Sequence, residues 1–90
     1  MKLKLYGQTG CKTCHDVKNI LDERKIQYTY VNVFDFREQW DFLKKQNDIK
    51  YTPTLEIYYP KEKRFVYLAA GRDFDGPNNF TEKIKGYEFN

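Results

Sequence analysis

The sequence predicts one α/β domain whose strands and helices follow the order β-α-β-α-β-β-α. Segments rich in β-branched and aromatic residues alternate with segments of helical apolar spacing. A chain of 90 residues is the size of one small domain. Because strands and helices alternate at first and two strands then follow directly, we expect a four-stranded mixed sheet, parallel and then antiparallel, flanked by three helices.

The first strand and the first helix are predicted from the spacing of apolar residues, which repeats every two residues in the strand and about every 3.6 residues in the helix. Residues 2–6 alternate, with Leu3 and Leu5 on one face, as in a half-buried strand. A helix is predicted to begin at Cys11 and to end near Arg24, because its apolar residues fall on one helical stripe. These residues are Cys14, Val17, Ile20 and Leu21.

A second strand and a second helix are predicted after it. Residues 27–33 contain mostly β-branched and aromatic side chains, which favour a strand. A helix is predicted over about residues 36–46, because one helical face collects its apolar residues and one amide. That face consists of Phe36, Trp40, Leu43 and Asn47.

The last third of the chain predicts a hairpin and a helix. Thr54–Tyr59 and residues 64–68 are strand candidates, and the four residues between them are few enough for a hairpin turn. Residues 71–75 form a polar turn, after which Pro77 suits the first turn of a helix. The core-facing side chains of this helix are Phe80, Ile84 and Tyr87.

Composition and charge argue against some classes of function, namely nucleic-acid binding and membrane insertion. Eight Tyr, seven Phe and one Trp predict a core with much aromatic surface. The net charge of +3 comes from lysines spread along the chain, which is not the pattern of a nucleic-acid-binding protein. No segment is apolar and long enough for a signal peptide or a membrane span. We therefore expect a monomer in the reducing cytoplasm, without nucleic-acid or membrane partners.

The segment Cys11-Lys12-Thr13-Cys14 contains the residues that we expect to be reactive. It follows a strand and a small polar loop and opens a helix. Free backbone N–H groups and the positive end of the helix dipole stabilise a thiolate there. We expect Cys11 to be the exposed nucleophile, and Lys12 to add charge that favours its thiolate. Cys14 lies on the apolar stripe and is expected to be the shielded, resolving thiol.

His15 extends the motif to Cys-x-x-Cys-His, the signature of c-type haem attachment. The sequence argues against that alternative, because Met1 is the only Met and there is no second His to act as a distal ligand. Two Cys and one His also give three soft ligands, fewer than a complete mononuclear zinc site needs.

The element order, with Cys-x-x-Cys opening the first helix, resembles the glutaredoxins of the thioredoxin-fold superfamily. Thr52-Pro53 precedes the third strand, where that family carries a cis proline, and the resemblance implies a cis bond here. Ala70-Gly71-Arg72-Asp73 resembles the family's Gly-Gly turn followed by acidic residues. The resemblance covers essentially the whole chain and implies a thioredoxin-like fold.

The resemblance also implies a binding site for glutathione or a peptide. Gln8 and Lys12 would meet the glycyl carboxylate, Arg72 and Asp73 the charged γ-glutamyl end, and the backbone of Thr52 an extended substrate. The full set is Gln8, Lys12, Thr13, Thr52, Pro53, Arg72 and Asp73. Several positions depart from the family pattern: Gln8 replaces a lysine, Lys12 and Thr13 replace Pro and Tyr, and Phe74 replaces a second acidic residue.

A dithiol–disulfide oxidoreductase follows from the resemblance and from the thiol chemistry. Its substrates would be protein disulfides or glutathione mixed disulfides, with glutathione as co-substrate and no bound cofactor. One rival hypothesis is a redoxin reduced by thioredoxin reductase that supplies electrons to ribonucleotide reductase. An iron–sulfur or metal carrier on the same fold is a second rival, and a binding module in which the thiols are spectators is a third.

Overall fold

A computed structural model describes residues 1–89, with seven elements in the predicted order. The strands and helices are β1 (Lys2–Gly7), α1 (Lys12–Glu23), β2 (Thr29–Asn32), α2 (Arg37–Asn47), β3 (Thr54–Tyr59), β4 (Arg64–Ala69) and α3 (Pro77–Ile84). Within the described part of the chain, no helix has the length and apolar character that crossing a membrane requires.

The four strands form one mixed sheet in the order β2-β1-β3-β4. β1 pairs in parallel with β2, to which α1 connects it, and antiparallel with β3. β3 and β4 form the antiparallel hairpin, in which Leu55 lies opposite Leu68. The predicted α/β class and mixed sheet are confirmed.

The larger core lies where the sheet packs against α1 and α3. β1 contributes Leu3 and Leu5, whose alternation was predicted, and both are buried. The fully buried members of this core include Val17, Leu21, Leu55, Ile57 and Phe80. Burying an aliphatic or aromatic side chain of this size stabilises a fold by about 1.5–3 kcal/mol, so this core anchors α1 and the cysteines that begin it.

A smaller core lies where α2 meets the sheet. The ring of Tyr6 stacks on that of Trp40, with the ring centroids 5.6 Å apart. Val33, Leu43, Ile49 and Ala69 complete this cluster. α2 is thereby fixed beside the end of β1 that leads into the cysteine loop, which makes α2 a wall of the site.

Three predicted boundaries were wrong. Tyr87, predicted on the last helix, lies beyond α3, which ends at Ile84. β2 is shorter than residues 27–33, because Lys25 adopts a left-handed φ of 58° and the amide of Ile26 returns to the carbonyl of Leu21. The Tyr28 hydroxyl then donates to Asp22 at 2.8 Å, so this residue closes the helix end instead of joining the ladder. Phe36 lies before α2 rather than on its apolar face, and its side chain is 47% exposed.

Candidate active site

Cys11 is the N-cap residue of α1. Its backbone is extended (φ −91°, ψ 108°), and its Sγ accepts a hydrogen bond from the amide of Cys14 at 3.1 Å. Sulfur here takes the position usually held by the oxygen of a Ser, Thr or Asp cap. Because the amide and the positive helix end both stabilise negative charge, the position favours a thiolate in the reduced protein.

Cys11 and Cys14 form a disulfide in this structure, with their Cα atoms 5.2 Å apart. Cys14 is 2% exposed, whereas Cys11 is partly exposed. A substrate sulfur can therefore approach Cys11 from solvent, while Cys14 lies behind it. This order of exposure is the one that an attacking Cys11 and a resolving Cys14 require.

The Thr52–Pro53 segment lies beside the disulfide, and its peptide bond is cis, as the resemblance implied. The hydroxyl of Thr52 lies 4.0 Å from Cys11 Sγ. Pro53 is buried, and its carbonyl accepts from the amide of Ala70 at 3.1 Å. In residues 1–89, neither backbone group of Thr52 is used in a backbone–backbone hydrogen bond, so both remain for an extended ligand.

The three predicted residues around the motif occupy different surroundings. Gln8 lines the groove beside Cys11, and its backbone carbonyl accepts from the amide of Cys11 at 3.3 Å. Lys12 points elsewhere: its ammonium binds Asp16, one turn along α1, at 2.9 Å. Thr13 is half-buried in the first turn of α1 and does not line the groove. The charge that Lys12 was expected to supply to Cys11 is therefore offset by Asp16.

Arg72 and Asp73 are bound within their own loop. One oxygen of Asp73 accepts from the Ala69 amide at 2.8 Å and from the Arg72 guanidinium at 2.8 and 3.0 Å. The guanidinium also donates to the carbonyls of Tyr67 and Asn47. Both charges hold the loop after β4 against α2, and neither residue lines the groove beside Cys11.

The Cys11 groove is an open cavity of about 350 Å³. It is lined by Gln8, Cys11, Val33, Phe34, Arg37, Trp40, Asp41, Lys44, Lys50, Tyr51 and Thr52. Sequence reasoning missed the contribution of α2 and of the two residues before Thr52. A signal for Lys50 and Tyr51 was present, because they directly precede the Thr-Pro segment. Arg37 and Lys44 enter only through the packing of α2 on the sheet.

A hydrogen-bonded carboxylate lies behind the groove wall that Trp40 forms. Glu56 is 6% exposed and accepts hydrogen bonds from the hydroxyls of Tyr6 at 3.4 Å and Tyr67 at 3.0 Å. Burial, and secondarily the negative charge of Glu56, raise the pKa of Tyr6 to about 12 and also raise the pKa of Tyr67. Both hydroxyls are therefore protonated at neutral pH and donate to Glu56. The bond to Glu56 fixes the ring of Tyr6 against the ring of Trp40.

The side chains around the disulfide do not form a metal centre. Within residues 1–89, no three or more His, Cys, Asp or Glu side chains are grouped in a way that could hold a metal ion. His15 is exposed on α1, one residue after the buried Cys14.

Comparisons with known proteins agree with this geometry. Escherichia coli NrdH-redoxin, described as a glutaredoxin-like protein, superposes with a TM-score of 0.64 at 20% identity, over 81% of this chain and 87% of its own. The thioredoxin-like protein BC3987 gives a TM-score of 0.65 at 24% identity, over 94% and 97% of the two chains. These likenesses show a shared fold. None of the curated proteins is significantly similar in sequence.

Membership of a family is shown by a match in sequence and not by the structural superpositions. The Glutaredoxin family model matches residues 3–58, which include β1 from its second residue, the cysteine motif, α2 and the Thr52–Pro53 segment. The match therefore spans the elements that assemble the disulfide site. This chain belongs to the glutaredoxin family and is a thiol–disulfide oxidoreductase.

Proposed function

We propose that the reduced protein donates two electrons to protein disulfides, or to mixed disulfides between a protein and glutathione. One observation carries the proposal: Cys11 is partly exposed and its sulfur accepts a backbone N–H at a helix start, while Cys14 in the next turn is buried. The first thiol can meet a bulky substrate, and the second can displace it without leaving the core.

The reaction consists of two exchanges. The Cys11 thiolate attacks one sulfur of the substrate disulfide, a Cys11–substrate disulfide forms, and the other substrate sulfur leaves as a thiolate. Cys14 then loses its proton and attacks Cys11 Sγ. The second substrate thiolate leaves, and the Cys11–Cys14 disulfide forms. Cys11 released its proton to solvent when its thiolate formed, and Cys14 releases its proton when it attacks. These two protons balance the two thiolates that the substrate has gained, and the two electrons come from the two protein sulfurs.

The backbone of Thr52 supports binding of an extended substrate segment. The hydroxyl of Thr52 lies 4.0 Å from Cys11 Sγ, and the Thr52 amide and carbonyl have no backbone partner within residues 1–89. A short extended segment can form hydrogen bonds with both groups, as in the addition of a strand to a sheet edge. Pairing of this kind is independent of side chains and suits a protein with several disulfide substrates.

Glutathione is the proposed co-substrate that restores the dithiol, with no bound cofactor, and the reducing cytoplasm is the proposed place of action. Gln8 beside the groove supports glutathione binding, since its amide can donate to a carboxylate. Thr13, in the first turn of α1, and Arg72 and Asp73, beyond the groove, remain proposed contacts. The engagement of Arg72 and Asp73 in their own loop favours a second candidate.

In that second candidate, thioredoxin reductase reduces the protein, which then supplies electrons to ribonucleotide reductase. The NrdH-redoxin that shares this fold is described as having a thioredoxin-like activity profile. A loop whose charges are already satisfied has less to offer the charged γ-glutamyl end of glutathione. A reductase would instead contact the exposed surface around Cys11.

One experiment separates the two reductants. The oxidised protein is incubated with NADPH and either glutathione with glutathione reductase or thioredoxin reductase alone, and NADPH oxidation is followed. Faster reduction by glutathione supports the first proposal, and faster reduction by thioredoxin reductase supports the second. Reduction by neither system, in a protein that dithiothreitol reduces, would contradict both.

A further inference from the structure

The Cys11 groove carries an excess of positive charge. It is lined by three basic side chains, Arg37, Lys44 and Lys50, against one acidic side chain, Asp41. Asp41 forms a contact of 3.6 Å with Lys44, so part of that lysine's charge is offset. Arg37 and Lys50 form no ion pair with any residue in 1–89. Two cations therefore face the groove without an acidic partner.

Two of the three basic side chains lie against aromatic walls of the groove. The guanidinium of Arg37 lies 5.9 Å from the ring centroid of Phe34, and Lys44 Nζ lies 5.7 Å from that of Trp40. Lys50 follows α2 and directly precedes Tyr51 and Thr52, which also line the groove. A side chain supported on an aromatic face loses less freedom when it binds an anion. Arg37 and Lys44 are therefore partly positioned before an anion binds.

The basic wall that α2 contributes is long enough for a short extended peptide. Arg37 and Lys44 are seven residues apart on α2, which corresponds to about 10 Å along the helix axis. An extended peptide advances about 3.3 Å per residue, so this length corresponds to about three residues. Because Cys11 and Thr52 line the same cavity as the cations, a substrate cysteine at Cys11 would bring its neighbouring residues into that cavity.

We propose that the Cys11 groove selects disulfide substrates in which acidic residues flank the reactive cysteine. This inference rests on the proposed function, since it names the substrate class of the same site. Arg37 and Lys50 would bind carboxylates of the flanking segment, while the Thr52 backbone pairs with its main chain. The carboxylates of glutathione are a second source of the same chemistry, and the test must separate the two.

The test compares two disulfide peptides that differ only in the residues flanking the cysteine. One peptide carries glutamates there and the second carries glutamines. The pre-reduced protein is mixed with an excess of either peptide, and the loss of free dithiol is followed in a single turnover, which removes the reductant from the comparison. We expect faster reaction with the acidic peptide, and a smaller difference at high salt.

Substitutions locate the effect in the groove. Arg37→Gln and Lys50→Gln should each lower the acidic-to-neutral rate ratio by roughly two- to fivefold, the range of a solvent-exposed ion pair. Lys61→Gln is the matched control, because Lys61 is an exposed lysine in the β3–β4 turn and should leave the ratio unchanged. Unchanged unfolding midpoints would show that the variants are folded.

The outcomes distinguish this inference from the proposed function. Equal rates with the two peptides would overturn the inference, while reduction of both would leave the proposed function intact. No reaction with either peptide, or with the neutral hydroxyethyl disulfide, would overturn the proposed function itself. If Arg37→Gln and Lys50→Gln slowed only the reaction with glutathione disulfide, the cations would serve the tripeptide and the inference would be wrong.

Discussion

The sulfur of Cys11 stands where a helix-capping oxygen usually stands, and this explains why the two thiols differ. Its acceptor contact with the Cys14 amide is local, fixed by the start of α1. Cys14 is one turn further on and is covered by the fold, with 2% exposure. The two cysteines are only three positions apart, but one lies at the helix start and the other in the core, so they have different chemical roles.

Alkylation should distinguish the two thiols. In the reduced protein at mildly acidic pH, iodoacetamide should label Cys11 well before Cys14, because only Cys11 combines exposure with a helix start. Peptide mapping by mass spectrometry gives the order. Earlier labelling of Cys14 would contradict the assignment.

Lys12 should have little influence on Cys11, because its ammonium is bound to Asp16 at 2.9 Å. We expect Lys12→Gln to lower the thiolate fraction of Cys11 only slightly, and Asp16→Asn to raise it, since the lysine charge is then no longer offset. Thiolate absorbance at mildly acidic pH measures both. A large loss of thiolate in Lys12→Gln would show that the lysine charge, and not the helix start, controls Cys11.

At the scale of elements, hydrogen bonds of two charged side chains fix the loop after β4. Asp73 accepts from the Ala69 amide and from Arg72, and Arg72 extends across to the carbonyl of Asn47 at the end of α2. These contacts connect the edge strand to the helix that forms one wall of the groove. The resemblance to glutaredoxins implied both charges as glutathione contacts, and the loop contacts were not predicted.

Removal of the Asp73 carboxylate should therefore lower stability. We expect Asp73→Ala to reduce the free energy of unfolding by about 1–2 kcal/mol, the size of a lost hydrogen bond to a charged group that is partly exposed. Asp75→Ala is the matched control, because Asp75 is exposed two residues further on. Urea denaturation measures both. Equal stability of the two variants, with weaker glutathione binding only in Asp73→Ala, would assign Asp73 to the ligand.

The Tyr6–Glu56–Tyr67 network should make stability fall at alkaline pH. The pKa of Tyr6 is raised from 10.0 to about 12 in the folded protein, mainly by burial. A group whose pKa is raised by folding stabilises the fold below its unfolded pKa and loses that contribution as pH rises through the folded value. The free energy of unfolding should thus decline between about pH 10 and 12.

Replacement of both tyrosines isolates this contribution. The Tyr6→Phe, Tyr67→Phe double variant should show a shallower decline with pH, although it is less stable at neutral pH because it leaves Glu56 without its donors. Urea denaturation of the oxidised protein across this range provides the comparison. An equal slope in the double variant would show that different groups dominate the alkaline transition.

At the scale of the whole molecule, the order of elements and the mixed sheet follow from residue periodicity, because alternation and helical spacing are local properties. The groove cannot be predicted from periodicity, because its shape depends on how α2 packs on the sheet. Trp40 was recognised as a helix-face residue, but its stacking on Tyr6 is tertiary, and this stacking brings Arg37 and Lys44 beside Cys11. The pairing of Lys12 with Asp16 has the i, i+4 spacing that makes helix residues neighbours, so the sequence already contained a signal for this contact.

Trapping of the mixed disulfide tests most directly whether Cys11 attacks and Cys14 resolves. Reduced Cys14→Ser protein is mixed with a disulfide peptide, and the products are analysed by mass spectrometry without reductant. We expect a stable adduct through Cys11, because the resolving thiol is absent, no adduct in Cys11→Ser, and an intramolecular disulfide without adduct in the unsubstituted protein. An adduct formed through Cys14 in Cys11→Ser, or no adduct in Cys14→Ser, would contradict these roles.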